Sequence, residues 1–79
     1  MYNFSESFDG DGSRTDFALS FRPVHEDGDA LNDFMKITII DESGKWKVVI
    51  KSDVTLYEKT LTLTHPIPER NKLLIEYNR

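Results

Sequence analysis

The 79-residue chain contains no cysteine, so no disulfide can stabilise it. It also lacks a long hydrophobic run. No stretch approaches the roughly 20 apolar residues of a transmembrane helix, and we expect no membrane partner. Met1 is followed by Tyr2-Asn3-Phe4 rather than by a basic and then an apolar segment, which predicts that no signal peptide is present. Because so small a domain buries only about 60% of its unfolded surface, its core must come from aromatic and branched residues or from neighbouring copies.

Basic residues are scarce in the first half of the chain. Residues 1–34 contain eight acids and two bases, a formal net charge of −6. Residues 35–79 contain six acids and eight bases, a formal net charge of +2. Affinity for nucleic acid comes mainly from basic groups that meet phosphates, so the acidic half argues against such a partner. The acids either collect in solvated loops or attract the basic half of another copy in a head-to-tail or ring assembly.

Few residues could carry catalysis or bind a metal. His25 and His65 are far apart in the sequence, and a zinc site at either would need carboxylates from elsewhere. The segment Asp9–Ser13 begins like a calcium loop, but the EF-hand glycine and glutamate positions are occupied by Arg14 and Ser20. We therefore predict no catalytic residue, no metal and no cofactor, and we do not expect an enzyme.

Apolar and polar residues alternate along most of the chain, which is the pattern of β-strands. Glu6 breaks this alternation and is expected to weaken the first strand. Strands are predicted at residues 2–8, 17–21, 35–40, 46–50, 54–57, 60–64 and 73–77. Turn signals that recur about every 8–12 residues predict one all-β domain over residues 1–79, a small antiparallel β-sandwich or barrel of six to seven short strands.

The longest irregular stretch covers residues 22–33 and is acidic. Long loops in small domains are often functional, so we predict an interface here. A short helical turn could form at residues 29–34. The candidate contact residues are the acids Glu26, Asp27 and Asp29 and the apolar anchors Leu31 and Phe34.

A second candidate interface follows the predicted hairpin loop at residues 41–44. Lys45, Lys47 and Lys51 are expected to form a basic row on one strand face, either solvated or facing acids of a neighbouring copy. Trp46 in the same strand is predicted to lie in the core, because its burial removes a large apolar area from water. If Trp46 were exposed, it could instead be a platform on which a sugar stacks.

Two patterns follow one another between about Phe8 and Tyr77. The first is an aromatic residue, a glycine-aspartate-glycine turn and an alternating strand, FDGDGSRTDFALSFRPV at residues 8–24. The second is a hairpin, a Tyr-turn-Thr strand, a Pro-x-Pro element and a final strand ending in Glu-Tyr. It occupies residues 36–40, 54–57, 59–64, 66–68 and 73–77.

In this order the patterns resemble the small β domains of bacteriophage virion proteins, particularly tail fibres and their attachment regions. The resemblance implies a structural protein of the virion, made in the host cytoplasm: a tail fibre, a neck or tail adaptor, or a baseplate component. It implies protein–protein docking to other virion proteins, as a homo-oligomer or as multiple copies on a symmetric particle. The alternatives are a carbohydrate- or host-receptor-binding module and a head decoration protein.

Overall fold

The computed structural model describes residues 2–79, which form seven β-strands in two antiparallel sheets. The elements are β1 Phe4–Asp9, β2 Asp16–Ala18, α1 Leu31–Phe34, β3 Met35–Ile40, β4 Trp46–Val48, a 3-10 turn Lys51–Asp53, β5 Val54–Tyr57, β6 Thr60–Leu63 and β7 Lys72–Tyr77. Sheet A has the strand order β1-β7-β3-β4, and sheet B has the order β2-β6-β5. The predicted all-β antiparallel class is confirmed, and the sheets form a sandwich-like pair that does not close into a barrel.

The core lies between the two sheets and is built from alternate residues of the strands, because successive side chains of a strand point to opposite faces. In β7, for example, Leu73, Ile75 and Tyr77 are buried. On β1, the Phe8 ring packs against Phe17 of sheet B, with ring centroids 5.3 Å apart. The other buried apolar residues are Leu19, Met35, Ile37, Val49, Val54, Leu61, Leu63 and Ile67.

Glu6 points from β1 towards the core, where hydrogen bonds satisfy its carboxylate. The Ser20 N–H and the Ser20 hydroxyl each donate to it at 3.0 Å, and the Tyr77 hydroxyl donates at 2.5 Å. The Tyr77 hydroxyl also accepts a hydrogen bond from the Phe21 N–H at 3.2 Å. Residues 4–9 therefore stay in one strand, and Glu6 joins that strand to the segment after β2 instead of interrupting it.

The glycine-rich turn after β1 packs on the Pro-x-Pro segment. The Gly10 N–H donates to the Asn71 carbonyl at 2.9 Å, and the Gly12 N–H donates to the Ile67 carbonyl at 2.8 Å. A Cβ atom at Gly10 would collide with the Pro68 carbonyl oxygen and with the Ile67 side chain. Glycine is needed at position 10 because the two chain segments approach so closely.

Two strands, β2 and β4, end at least two residues before the end that the alternation predicts, and the helical turn is shorter than expected. β2 ends at Ala18, because Ser20 turns away to bond Glu6. β4 ends at Val48, and the chain then enters the 3-10 turn. The helical turn expected at residues 29–34 is α1, at Leu31–Phe34.

Gly10→Ala is expected to lower the free energy of unfolding by more than about 2 kcal/mol, because the methyl group must displace backbone atoms of the Pro-x-Pro segment. Gly28→Ala is the matched control. Gly28 has φ +91° and nothing within 4 Å of an added Cβ, so only backbone strain of about 1 kcal/mol is expected. Urea denaturation of both variants measures the difference. Equal losses in the two variants would show that the packed turn contributes no tertiary constraint.

Tyr77→Phe is expected to cost about 1–3 kcal/mol, because it leaves the Glu6 carboxylate and the Phe21 N–H short of a partner. Burial, reinforced by the Glu6 hydrogen bond, raises the pKa of Tyr77 from 10.0 to about 12. The neutral phenol is thus favoured in the folded state, so its contribution is complete below pH 10 and is lost as the pH rises towards 12.

Chemical denaturation at several alkaline pH values tests this contribution. The stability difference between wild type and Tyr77→Phe should shrink across that interval. The exposed Tyr57 is the control, and Tyr57→Phe should change little at any pH. A difference between wild type and Tyr77→Phe that is independent of pH would contradict the assignment.

Candidate interaction surface

The register of the β3–β4 hairpin determines which side chains of β4 face solvent. Val48 lies opposite Thr38, and Trp46 lies opposite Ile40. Directly opposite residues share a face, so Trp46 and Val48 lie on the outer face of sheet A, where Trp46 is 66% exposed. The prediction that Trp46 lies in the core is wrong. The buried residue of this segment is Val49, whose N–H donates to the Ile37 carbonyl at 2.8 Å.

The three lysines of this segment do not form a row on one strand face. Lys45 ends the hairpin loop, where its N–H donates to the Asp41 carboxylate at 3.0 Å. Lys47 lies in β4 opposite Ile39, on the side that faces sheet B. Lys51 belongs to the 3-10 turn. The lysines are instead spread along one edge of sheet A, and we call residues 45–51, which contain no acid, the basic edge.

Large exposed hydrophobic side chains are concentrated at this edge. Six are exposed among residues 2–79, and three of them, Trp46, Val48 and Ile50, belong to the basic edge. The Lys36 ammonium lies 5.8 Å from the Trp46 ring centroid, within cation–π range. A contiguous exposed apolar group on a soluble domain marks an interaction surface more often than a single exposed side chain does.

A cleft of about 300 Å³ opens on the inner side of β4. Its apolar wall includes the buried side chains of Val49 and Leu63. Lys47, Asp53 and His65 contribute polar groups. The edge strand is therefore flanked by exposed apolar side chains on its outer face and by an apolar cleft on its inner face. Ile39, Val48 and Ile50 complete the lining.

The irregular segment at residues 22–33, which we call the acidic loop, presents charged side chains rather than the predicted apolar anchors. Glu26 and Asp29 close a tight turn in which the Asp29 N–H donates to the Glu26 carbonyl at 3.1 Å and the Glu26 N–H donates to the Asp29 carboxylate at 3.0 Å. These two acids and Asp27 are exposed. Leu31 and Phe34, predicted as anchors, are half-buried and pack against the core. An interface at this loop stays a prediction, and its accessible groups are the carboxylates and the side chain of Val24, which is 59% exposed.

Helix α1 connects the acidic loop to the basic edge. The Asn32 side-chain amide donates to the Val49 carbonyl at 3.2 Å, and its oxygen accepts from the Lys51 N–H at 2.8 Å. The structure therefore brings the acidic loop next to Lys51, while Lys45 lies at the other end of β4. Of the three predicted lysines, only Lys51 lies next to the acidic loop, and the contact is made by the side-chain amide of Asn32.

The aspartates of the two turn clusters are used for local structure. The Asp11 carboxylate accepts from the N–H groups of Ser13 and Arg14, at 3.0 and 2.7 Å, and these bonds lower its pKa. The Ser43 hydroxyl donates to Asp41 at 2.6 Å and lowers the pKa of that carboxyl in the same way. Over residues 2–79 no cluster of three or more histidine and acidic side chains is arranged to hold a metal ion.

Comparison with known proteins leaves the chain without an assigned family. Neither a protein-family model nor a curated protein sequence matches it. Within residues 2–79 no helix is long and apolar enough to cross a membrane. The surface around β4 and the patterns in the sequence are therefore the features of this chain that indicate a function.

The placement of Trp46 predicts how its fluorescence is quenched. Trp46 is the only tryptophan, so its emission should resemble that of a solvated indole and should be quenched by acrylamide and by iodide. Lys36 beside the ring attracts the anion, so Lys36→Gln should lower the iodide quenching constant by about half and leave acrylamide quenching unchanged. Lys59→Gln, in the β5–β6 turn, is the control and should alter neither constant. Blue-shifted emission resistant to both quenchers in dilute, monomeric protein would contradict the placement.

Proposed function

We propose that this chain is a structural component of a bacteriophage virion, a tail fibre, neck or tail adaptor, or baseplate protein, which docks through protein–protein contacts. The observation that carries the proposal is the exposed apolar group at the basic edge, in which Trp46 is the largest and most exposed side chain. Because Trp46 is 66% exposed, full burial removes at most about 160 Å² from water and gains roughly 4 kcal/mol before the costs of association. That gain is large for a 79-residue chain with so small a core.

The resemblance to virion β domains supports the same proposal, and the fold explains why its two patterns occur together. The glycine-rich turn of the first pattern bonds to Ile67, inside the Pro-x-Pro element of the second. The final strand of the second pattern, β7, pairs with β1, which leads into the first. The two patterns therefore describe one packed unit, which makes their joint occurrence more informative than two separate turns would be.

A carbohydrate- or host-receptor-binding module is the second candidate, and exposed aromatic rings favour it. Trp46 and Tyr57 are 66% and 77% exposed, as a stacking platform for a sugar requires. The two rings belong to different sheets, at β4 and at the end of β5, and Tyr77 is buried. A sugar on Trp46 would thus have one ring and the neighbouring Lys36, a smaller site than the protein-contact surface offers.

The test is co-purification of the tagged chain with the proteins encoded by the genes that flank its own. We expect one of them, a tail, neck or baseplate protein, to bind. Trp46→Ser should weaken that binding about tenfold or more, because central tryptophans dominate interface energetics. Tyr57→Ser, which removes an equally exposed ring from sheet B, is the control and should leave affinity within about twofold.

Three results would overturn the proposal. One is binding to host cell-wall glycan, with a Trp46 emission shift and no bound virion protein, which would favour the receptor module. Another is binding to a capsid protein alone, which would make the chain a head decoration protein. The third is virion-protein binding that survives Trp46→Ser but is lost in Tyr57→Ser, which would move the contact to sheet B.

A further inference from the structure

Sheet A ends in two strands that each have a neighbour on one side only. β1 pairs with β7, and β4 pairs with β3. An edge strand presents backbone N–H and C=O groups that can bond to another strand. The backbone bonds found within residues 2–79 leave both outer edges without a strand partner. The molecule therefore has two sites at which its sheet could be extended.

Strand direction makes these two edges compatible with each other. All three pairings in sheet A are antiparallel, so direction alternates across its four strands and β1 runs opposite to β4. If a second copy in the same orientation is set beside β4, its β1 lies antiparallel to β4. The new junction would repeat the antiparallel pattern of the rest of the sheet, which is the more stable arrangement per residue.

The exposed charges at the two edges are opposite in sign. Residues 2–13, which contain β1, carry the acids Glu6, Asp9 and Asp11 and no base. Glu6 is hydrogen-bonded inside the chain, which leaves the exposed Asp9 and Asp11 to face a neighbour. The nearest bases, Arg14 and Arg79, place their guanidinium groups over aromatic rings of the inner face of β1. The basic edge carries three lysines and no acid. The single ion pair within residues 2–79 joins Arg70 to Glu42, so Asp9, Asp11 and the three lysines of the basic edge do not neutralise one another inside the chain. Like charges disfavour a β4–β4 or a β1–β1 junction, and opposite charges favour a β4–β1 junction.

We infer that β4 of one copy pairs antiparallel with β1 of a second copy, so that sheet A continues from one molecule into the next. The outer side chains of β1 that would lie beside Trp46 and Val48 are the exposed Ser5, Ser7 and Asp9. This junction places the outer side chains of β1 beside the apolar group of β4 and leaves the rest of that outer face open. It uses different surfaces on the two copies, so repetition produces a ring or an open filament.

The inference rests on the proposed virion function, for which it names a second copy of the chain as a partner. The acidic charges near β1 would also explain why lysines occur along the edge strand β4. Lysines block pairing between two identical basic edges, but they attract an acidic one. The excess of acids in the first half of the chain and of bases in the second would thus be used at the same contact.

Disulfide trapping tests the junction, and the absence of native cysteine keeps the result simple. Val48→Cys on β4 is mixed, under mild oxidation, with a tagged chain that carries Ser5→Cys, Ser7→Cys or Asp9→Cys on β1. These positions share the outer face, so one of the three pairs should be in register to crosslink. The matched control is Thr55→Cys, an exposed position on the β5 edge of sheet B, used in place of Val48→Cys.

We expect one mixed pair to give a heterodimer at least about fivefold in excess of either homodimer, and the Thr55→Cys control to give none above random collision. Random collision alone would give a heterodimer yield equal to that of both homodimers together. Circular dichroism and thermal unfolding of each reduced variant confirm that it is folded. Added salt should reduce the trapped heterodimer, because the opposite charges at the junction are exposed.

Homodimers in excess, a random distribution for all three pairs, or an equal yield with Thr55→Cys would overturn the inference. So would a Val48→Cys chain that crosslinks only to a different virion protein. Those results leave the proposed function standing if the wild-type chain still co-purifies with a flanking-gene product. A trapped junction without any such partner would instead support the contact between copies and contradict the virion role.

Discussion

The pairing of β7 with both of its neighbours is the constraint on which the rest of the structure depends. β7 bonds to β1 and to β3 over six residues each, and its inward side chains Leu73, Ile75 and Tyr77 form the centre of the core. Once β3 is fixed in this register, Ile37 faces inward and the hairpin that follows must place Val49 beside it. Trp46 and Val48 are then on the outer face, because a strand alternates its side chains between two faces. The exposed surface at β4 is thus a consequence of a register set two strands away.

Most of the fold could be predicted from the alternation of apolar and polar residues. All seven predicted strands exist, and Met35–Ile40 and Val54–Tyr57 have the predicted bounds. The alternation predicts these strands because their inward residues, such as Met35, Ile37 and Val54, are buried. The strand ends at Ala18 and Val48 could not be predicted, because they depend on where Glu6 and the 3-10 turn lie in three dimensions.

The candidate surface was predicted less well, and the reason is local. Residues 46–50 contain four apolar side chains in five positions, so the period of two leaves the buried face undecided. If Trp46 is assigned to the core by its size, Val48 and Ile50 face inward with it and Val49 becomes an apolar exception on the outer face. The register with β3 instead makes Val49 the buried residue. Lys47, which stands between Trp46 and Val48, was the signal in the sequence that this strand lies at an edge. Leu31 and Phe34 were expected to be accessible, but the helical turn α1 packs them against the core.

Charge and apolar area act together at the edges of sheet A. The acids of residues 2–13 and the lysines of residues 45–51 lie on opposite outer strands, so each copy carries both halves of a possible contact. Electrostatic attraction would set the orientation, and backbone hydrogen bonds together with contacts beside Trp46 would hold the junction. This division of roles allows a small domain with a limited core to gain stability from its neighbours.

Sedimentation velocity over a wide range of protein concentration is the most direct test of assembly through the β4 edge. If β4 pairs with β1 of a second copy, species at multiples of the monomer mass should grow with concentration, decrease with added salt and disappear in Trp46→Ser. A wild-type chain that sediments as a monomer at every concentration and salt level would contradict this pairing.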